Sequence, residues 1–190
     1  MSITTQKTLC YFKDSFYFTH FMKSLQPFIT KQNNYMLLES TDGETVIGYA
    51  CDNVRFAKQV YPDYVSIMEP FSVYLSPMSI YPKKNEGNVK LSMDANGYAV
   101  IEFGTIKLQN SQPQTPLDFH KLYECVQKTI IENVALDRKR LQETVQSLKS
   151  PYPGLGDGVS IEFQGPLNPV KIVNGANERY IMPVRFPDSK

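Results

Sequence analysis

Three consecutive basic residues are the feature of this sequence that most directly suggests a ligand. Arg138, Lys139 and Arg140 follow Asp137, a suitable N-cap for a helix. The positive end of a helix dipole disfavours each cation in the first turn by about 0.3–1 kcal/mol, so an anionic ligand would offset this cost. The phosphates of DNA are such a ligand and require no particular base sequence. A solvated helix face, partly neutralised by Asp137 and Glu143, is the alternative, and the spacing alone favours it.

A second candidate site is the largely apolar segment of residues 180–186. Part of this segment is expected to be a strand that packs in the core. Pro183 removes a backbone donor, which is typical of an edge strand beside a groove. Met182 next to Pro183 favours adaptable recognition of an apolar peptide from a partner protein.

Other residues that could carry chemistry lack the partners that such chemistry needs. His20 and His120 have no Asp, Glu or Cys at metal-ligand spacing, so a zinc site or catalytic triad is not expected. Cys51 has no adjacent base, and the three cysteines form no CxxC pair. The glycine-rich residues 154–158 precede a strand, which indicates a turn and not a phosphate loop. The sequence therefore predicts no catalytic residue, no metal site and no cofactor, and an enzyme is the weaker hypothesis.

Helical periodicity predicts the elements that would position the basic residues. One helix is predicted over residues 15–28, with Asp14 or Ser15 as its N-cap. A second is predicted over residues 138–149, where apolar residues recur on one stripe until Ser-Pro ends the helix. A weaker helical pattern covers residues 117–127.

Alternating apolar and polar residues predict that most of the remaining chain is antiparallel β-sheet. Residues 89–94 and 159–163 alternate strictly, which predicts strands with one buried face. Asn96-Gly97 predicts a two-residue hairpin turn before residues 98–103, and Asp42-Gly43 predicts a second hairpin. Further strands are predicted at residues 8–12, 35–39, 45–50, 65–67, 72–75, 106–108, 130–134, 170–173 and 180–184.

The order strand, helix, strands recurs and suggests a duplicated β-α-β-β-β unit of an α+β protein. A third copy is suggested by residues 72–108, with its helix eroded near residues 77–84. The polar, proline-bearing residues 109–116 are the best candidate boundary, which divides the chain into residues 1–116 and 117–190.

Composition limits the classes of function. Twenty Lys and Arg against nineteen Asp and Glu give a net charge of +1, so any DNA contact must depend on local charge placement. No segment approaches the roughly 18 apolar residues that span a bilayer, and the first residues lack a signal-peptide pattern. Together with the dispersed cysteines, this predicts a cytoplasmic protein with no membrane partner.

Two segments resemble the bacterial sliding clamp, the β subunit of the replicative DNA polymerase. Residues 48–57, GYACDNVRFA, resemble the Ala-Thr-Asp-Gly-x-Arg-Leu-Ala stretch of the clamp's middle domain, from which Cys51, Asn53 and Phe56 depart. Residues 134–186 resemble the second half of its last domain. They contain a helix beginning LDRKRL, a hairpin VSIEFQGPLNPVKI and the ending YIMPVRF.

The resemblance implies a shortened or divergent member with the DNA-clamp fold, in which β-α-β-β-β units place antiparallel sheets outside and helices on one face. It implies a non-catalytic processivity factor that tethers replication or repair proteins to DNA. The implied partners are double-stranded DNA bound without sequence specificity, a DNA polymerase or related clamp-binding protein, and further copies of the chain in a homo-oligomer. The alternative is a clamp-fold interaction module that binds partner peptides or a host clamp without encircling DNA.

The resemblance also assigns two surfaces. The first is the clamp's peptide-binding pocket, between its middle and last domains, which corresponds here to Cys51, Asn53, Val54, Arg55, Phe56, Tyr180, Ile181, Met182, Pro183, Val184 and Arg185. The second is the DNA-facing surface, which corresponds to Lys23, Arg138, Lys139 and Arg140.

Overall fold

The computed structural model describes residues 6–52, 54–61, 64–110, 113, 115–125, 136–148, 158–163 and 168–184. Within these ranges the chain is α+β, with two antiparallel sheets and three α-helices. No helix in the described part of the chain is long and apolar enough to cross a membrane.

The smaller sheet has five strands in the order β5-β1-β7-β8-β9. Its strands are β1 (Lys7–Phe12), β5 (Val65–Ile67), β7 (Val89–Met93), β8 (Ala99–Phe103) and β9 (Ile106–Gln109). The predicted hairpin between β7 and β8 is confirmed, but its turn is longer than two residues. The N–H of Asp94 donates to the carbonyl of Tyr98, and Gly97 adopts a φ of 81° that favours glycine.

The larger sheet has seven strands in the order β10-β11-β12-β4-β3-β2-β6. Its strands are β2 (Met36–Ser40), β3 (Ile47–Cys51), β4 (Arg55–Val60), β6 (Phe71–Leu75), β10 (Ser160–Glu162), β11 (Val170–Asn174) and β12 (Asn177–Ile181). Its central pairing joins β4 to β12, with Phe56 opposite Tyr180. The sheet therefore contains strands from both sides of the predicted boundary at residues 116 and 117, and the division into two domains stays a prediction.

Helix α1 (Ser15–Leu25) begins at the predicted cap and continues into a 3-10 turn, Gln26–Phe28. The Asp14 carboxylate accepts a hydrogen bond from the N–H of Phe16 at 2.7 Å. The apolar stripe of α1 is fully buried in the main core, which both sheets share: Phe18, Phe21, Met22 and Leu25. Gly48 lies under this helix, and a Cβ there would meet the Leu25 side chain at 2.5 Å. The absence of a side chain at Gly48 thus allows α1 to lie close to β3.

Two further helices cover opposite faces of the seven-stranded sheet. Helix α3 (Arg138–Ser147) lies on the same face as α1, and its Leu148 end packs against Ile172 and Ile181. Helix α2 (Phe119–Cys125) lies on the other face, where Phe119 packs in an aromatic cluster with β3, β4 and β12.

Arg179 fixes the end of α3 to the sheet. Its side chain is fully buried, and it donates from Nε to the Ser147 hydroxyl at 3.1 Å and from Nη1 to the Lys58 carbonyl at 3.0 Å. Nη2 donates to the side-chain oxygen of Gln59. Burial lowers the pKa of the guanidinium. These bonds supply the polar partners that a buried cation needs.

Several predictions about strands are wrong. Residues 159–163 do not bury one face, since β10 is an edge strand and Ile161 and Phe163 are 42% and 51% exposed. Residues 180–184 do not form an edge strand either: β12 ends at Ile181 and lies between β11 and β4, so Pro183 follows the strand and removes no ladder donor from it. The strand predicted at residues 130–134 lies outside the described residues. Residues 77–84, where the sequence predicts an eroded helix, contain no helix.

Candidate functional site

A small cavity of about 100 Å³ lies at one end of the seven-stranded sheet, where the turn between β3 and β4 meets the residues that follow β12. Its lining is almost entirely apolar. The lining residues are Cys51, Val54, Arg55, Phe56, Leu122, Pro169, Tyr180 and Met182.

Sheet pairing brings together the two segments that resemble the clamp's pocket motifs, residues 48–57 and residues 180–186. In the register of β4 and β12, Tyr180 lies opposite Phe56 and Ile181 opposite Arg55. The pairing continues past the strand, since the N–H of Met182 donates to the carbonyl of Val54 at 3.0 Å. The cavity is therefore built on backbone geometry that joins distant parts of the chain.

The predicted pocket residues divide into three groups. Six line the cavity: Cys51, Val54, Arg55, Phe56, Tyr180 and Met182. Three others do not line it: Ile181 is buried against α3 on the opposite face, and Pro183 and Val184 are half-buried beyond the strand. Asn53 and Arg185 lie outside the described residues.

The sequence did not predict two of the residues that line the cavity. Leu122 comes from α2, whose weak helical pattern gave no sign of the sheet face that the helix covers. Pro169 immediately precedes β11 and carries no local signal of a site. Both reach the cavity through tertiary packing that no spacing in the sequence encodes.

Arg55 holds the wall of the cavity in place. Its Nε donates to Asp52 Oδ2, its Nη1 to Glu143 Oε2 and its Nη2 to the Pro27 carbonyl, each at 2.8 Å. The Asp52 carboxylate also accepts the backbone N–H of Arg55 at 2.7 Å. The guanidinium is thus engaged on all sides, and we interpret Arg55 as the residue that joins the β3–β4 turn to α1 and α3.

Glu178 holds α2 and Tyr180 on the other side of the cavity. Its Oε2 accepts the hydroxyls of Tyr123 at 2.8 Å and Tyr180 at 3.0 Å, and its Oε1 lies 3.1 Å from Lys171 Nζ. Burial acts to raise the pKa of this carboxyl, but the three donors and the charge of Lys171 outweigh burial and lower it.

We expect Glu178→Gln to lower the free energy of unfolding by about 1–2 kcal/mol near pH 7, because the amide loses the ion pair with Lys171 and has only one oxygen left to accept hydrogen bonds. A carboxyl with a depressed folded-state pKa contributes stability above its unfolded pKa, 4.5, and loses it as the pH falls through the folded pKa. The difference between wild type and variant should therefore shrink in acid. Urea unfolding over a series from about pH 7 down to about pH 2.5 measures it, and a difference that does not change across this range would contradict this account.

The four predicted DNA-facing cations lie on α1 and α3. Arg138 and Lys139 are exposed and Arg140 is half-buried in the first turn of α3, where the predicted cap is confirmed because Asp137 accepts the N–H of Arg140 at 2.9 Å. Lys23 is exposed in the last turn of α1. None of the four forms an ion pair with another described residue. Both helices lie on the same face of the seven-stranded sheet, so that face carries these cations.

The side chains considered for catalysis have ordinary structural partners. His120 Nε2 lies 2.9 Å from the Glu39 carboxylate, the His20 ring packs on Phe16, and Cys51 is buried in the wall of the cavity. No group of three or more metal-binding side chains occurs in the ranges that the structure describes.

Solved structures of bacterial sliding clamps share this architecture. The clamp from Pseudomonas aeruginosa superposes with a TM-score of 0.68 and 11% identity, over 95% of this chain and 66% of that one. The clamp from Bacillus subtilis superposes with a TM-score of 0.67 and 11% identity, over 95% of this chain and 66% of that one. The β sliding clamp from Caulobacter crescentus superposes with a TM-score of 0.67 and 14% identity, over 97% of this chain and 67% of that one.

This chain has the sliding-clamp fold. The α+β class and the clamp fold predicted from the sequence are therefore confirmed. The predicted placement of all helices on one face differs from the structure, because α2 covers the sheet face opposite α1 and α3. The clamp fold here spans about two thirds of the length of the clamps that it matches. No protein-family model and no curated protein sequence matches the chain.

Proposed function

We propose that this protein is a clamp-like processivity factor, which holds DNA against the α1 and α3 face and a polymerase or repair protein in the cavity. It acts without catalysis. The observation that supports this proposal best is the cavity at the end of the paired strands β4 and β12 on a sliding-clamp fold, formed largely by the two segments that resemble the clamp's peptide-binding motifs.

The size of the cavity favours a peptide over a cofactor. Small-molecule sites usually enclose about 300–1,000 Å³, several times the volume found here. A cavity of about 100 Å³ with an apolar lining fits a single aliphatic or small aromatic side chain. Met182 at its rim is 37% exposed and has the flexible thioether that adapts to different apolar ligands.

The distribution of charge supports loose, sequence-independent DNA contact. The chain has a net charge of only +1, yet three cations share one turn of α3. Phosphate contacts from a few fixed cations give weak, salt-dependent affinity, which a protein that slides along DNA requires.

Encirclement of DNA is tested by topology. We expect the protein to dissociate much more slowly from nicked circular DNA than from the same DNA after linearisation. A closed ring can leave DNA only by sliding off a DNA end, and a circle has no end. Light scattering should then give a mass of several protomers. Equal dissociation from both DNA forms, with a monomeric mass at high concentration, would refute the clamp function.

The alternative is a clamp-fold interaction module that binds partner peptides, or another clamp, without encircling DNA. The cavity supports this alternative equally, since its apolar lining can hold a peptide side chain whether or not the protein encircles DNA. A monomer that binds apolar peptides in the cavity but shows no topological retention on DNA would establish it.

A further inference from the structure

Four aromatic rings form a continuous row along the N-terminal half of α1. Tyr64 stacks on Tyr17 with ring centroids 5.1 Å apart and planes at 15°. Tyr17 contacts Phe16 at 5.6 Å, and Phe16 contacts His20 at 4.5 Å. We call these four residues the aromatic row.

The aromatic row lies at the edge of the main core, against which Tyr17 packs, and much of its surface is accessible to solvent. Tyr64 is 48% exposed, His20 is exposed, and Phe16 and Tyr17 are half-buried. The opposite stripe of α1, in contrast, is fully buried. The fold therefore keeps flat aromatic surface in contact with solvent, where a helix of this kind ordinarily carries charged side chains.

Cations lie beside the row, on α1 and on the chain next to it. No residue of α1 is Asp or Glu, and the carboxylate of Asp14 is occupied as the cap. Lys84 Nζ lies 5.2 Å from the centre of the Phe16 ring, and Lys23 Nζ lies 5.0 Å from the Tyr81 ring beside the same helix. The His20 side chain is exposed, but the packing of its ring on Phe16 removes part of its hydration. This partial desolvation, and after it the charge of Lys23, lowers the pKa of His20 below its ordinary value, so the ring is neutral near pH 7.

We infer that the aromatic row binds single-stranded DNA, with unpaired bases stacked on Phe16, His20 and Tyr64 and phosphates held by Lys23 and Lys84. The proposal goes beyond the proposed function, because base pairs within a duplex offer no open faces to these rings. The aromatic row and the lysines beside it match single-stranded DNA, in which aromatic bases alternate with anionic phosphates. An apolar peptide would leave the lysines without a negatively charged partner. The proposed binding of single-stranded DNA depends neither on closure of a ring nor on the cavity.

Fluorescence anisotropy with a labelled oligothymidine of about 12 nucleotides tests the inference. Stacking contributes about 1–3 kcal/mol per base, so Phe16→Ala with His20→Ala should weaken binding at least tenfold. Tyr98→Ala, which removes an exposed ring in the β7–β8 turn, is the matched control and should change nothing. Lys84→Ala should lower the salt slope of log K by about 0.7.

Four outcomes would overturn the inference: no binding of the oligonucleotide by the wild type, unchanged binding by the double variant, equal loss in the Tyr98 control, or tighter binding of RNA of the same sequence. If the double variant does not fold, Tyr64→Ala alone removes an exposed ring of the row and should weaken binding at least fivefold. Retention on circular duplex DNA should be unchanged in these variants, so failure here and failure of the clamp function are separate results.

Discussion

Met182→Glu should weaken the binding of an apolar partner peptide at least 30-fold. The Met182 side chain forms the rim of a cavity that contains almost no polar surface, so a carboxylate there must lose hydration when the peptide binds. Loss of an apolar contact at a binding hot spot alone costs about 2 kcal/mol or more. Titration calorimetry with the C-terminal peptide of a DNA polymerase measures the effect.

Met68→Glu is the matched control for this prediction. Met68 is 55% exposed and lies after β5, in the other sheet, so the same substitution there should leave the affinity for the peptide unchanged. Met182 is itself exposed, so Met182→Glu is not expected to destabilise the fold. Equal affinity of Met182→Glu and wild type would remove the cavity as the peptide site.

The parts of the fold that depend on local chemistry could be predicted from the sequence. Asp14 and Asp137 cap their helices because a carboxylate can satisfy backbone N–H groups two or three residues ahead, which the sequence shows directly. Asp42 does the same in the β2–β3 turn by accepting the N–H groups of Glu44 and Thr45. Such contacts involve neighbours along the chain and need no knowledge of the tertiary structure.

Strand β4 could not be recognised in this way. Helices cover both faces of the seven-stranded sheet around it: Ala57 faces the main core with α1, and Phe56 faces α2. A strand covered on both faces has no alternation of apolar and polar residues, and Arg55 and Lys58 further obscure the pattern. The resemblance to a clamp motif located this segment, but periodicity alone did not show that it is a strand.

The cavity depended on the same non-local pairing. Six of its lining residues were named from the two motifs, yet only the register of β4 against β12 decides that Tyr180 faces the cavity while Ile181 faces α3. A shift of one residue would exchange these two side chains. The sequence could therefore identify the segments but not which side chains line the site.

Arg138→Glu with Lys139→Glu should weaken binding of duplex DNA more than tenfold at low salt, and equally for every base sequence. Loss of two phosphate contacts should lower the slope of log K against log salt by about 2. Both side chains are exposed, so the variant leaves the half-buried Arg140 in place. Anisotropy with a labelled duplex over a range of salt concentrations provides both values.

The same substitutions should stabilise the fold, and this opposite sign makes the test decisive. Acidic side chains in the first turn of α3 interact favourably with the helix dipole, so the free energy of unfolding should rise by about 1 kcal/mol while DNA binding falls.

Lys121→Glu places an equal charge change on α2, on the opposite face of the sheet, and should affect DNA binding far less than Arg138→Glu alone. Equal losses from these two single variants would mean that net charge, and not the α1 and α3 face, determines DNA binding. Unchanged DNA binding in the double variant would show that Arg138 and Lys139 belong to an ordinary solvated helix surface that does not contact DNA.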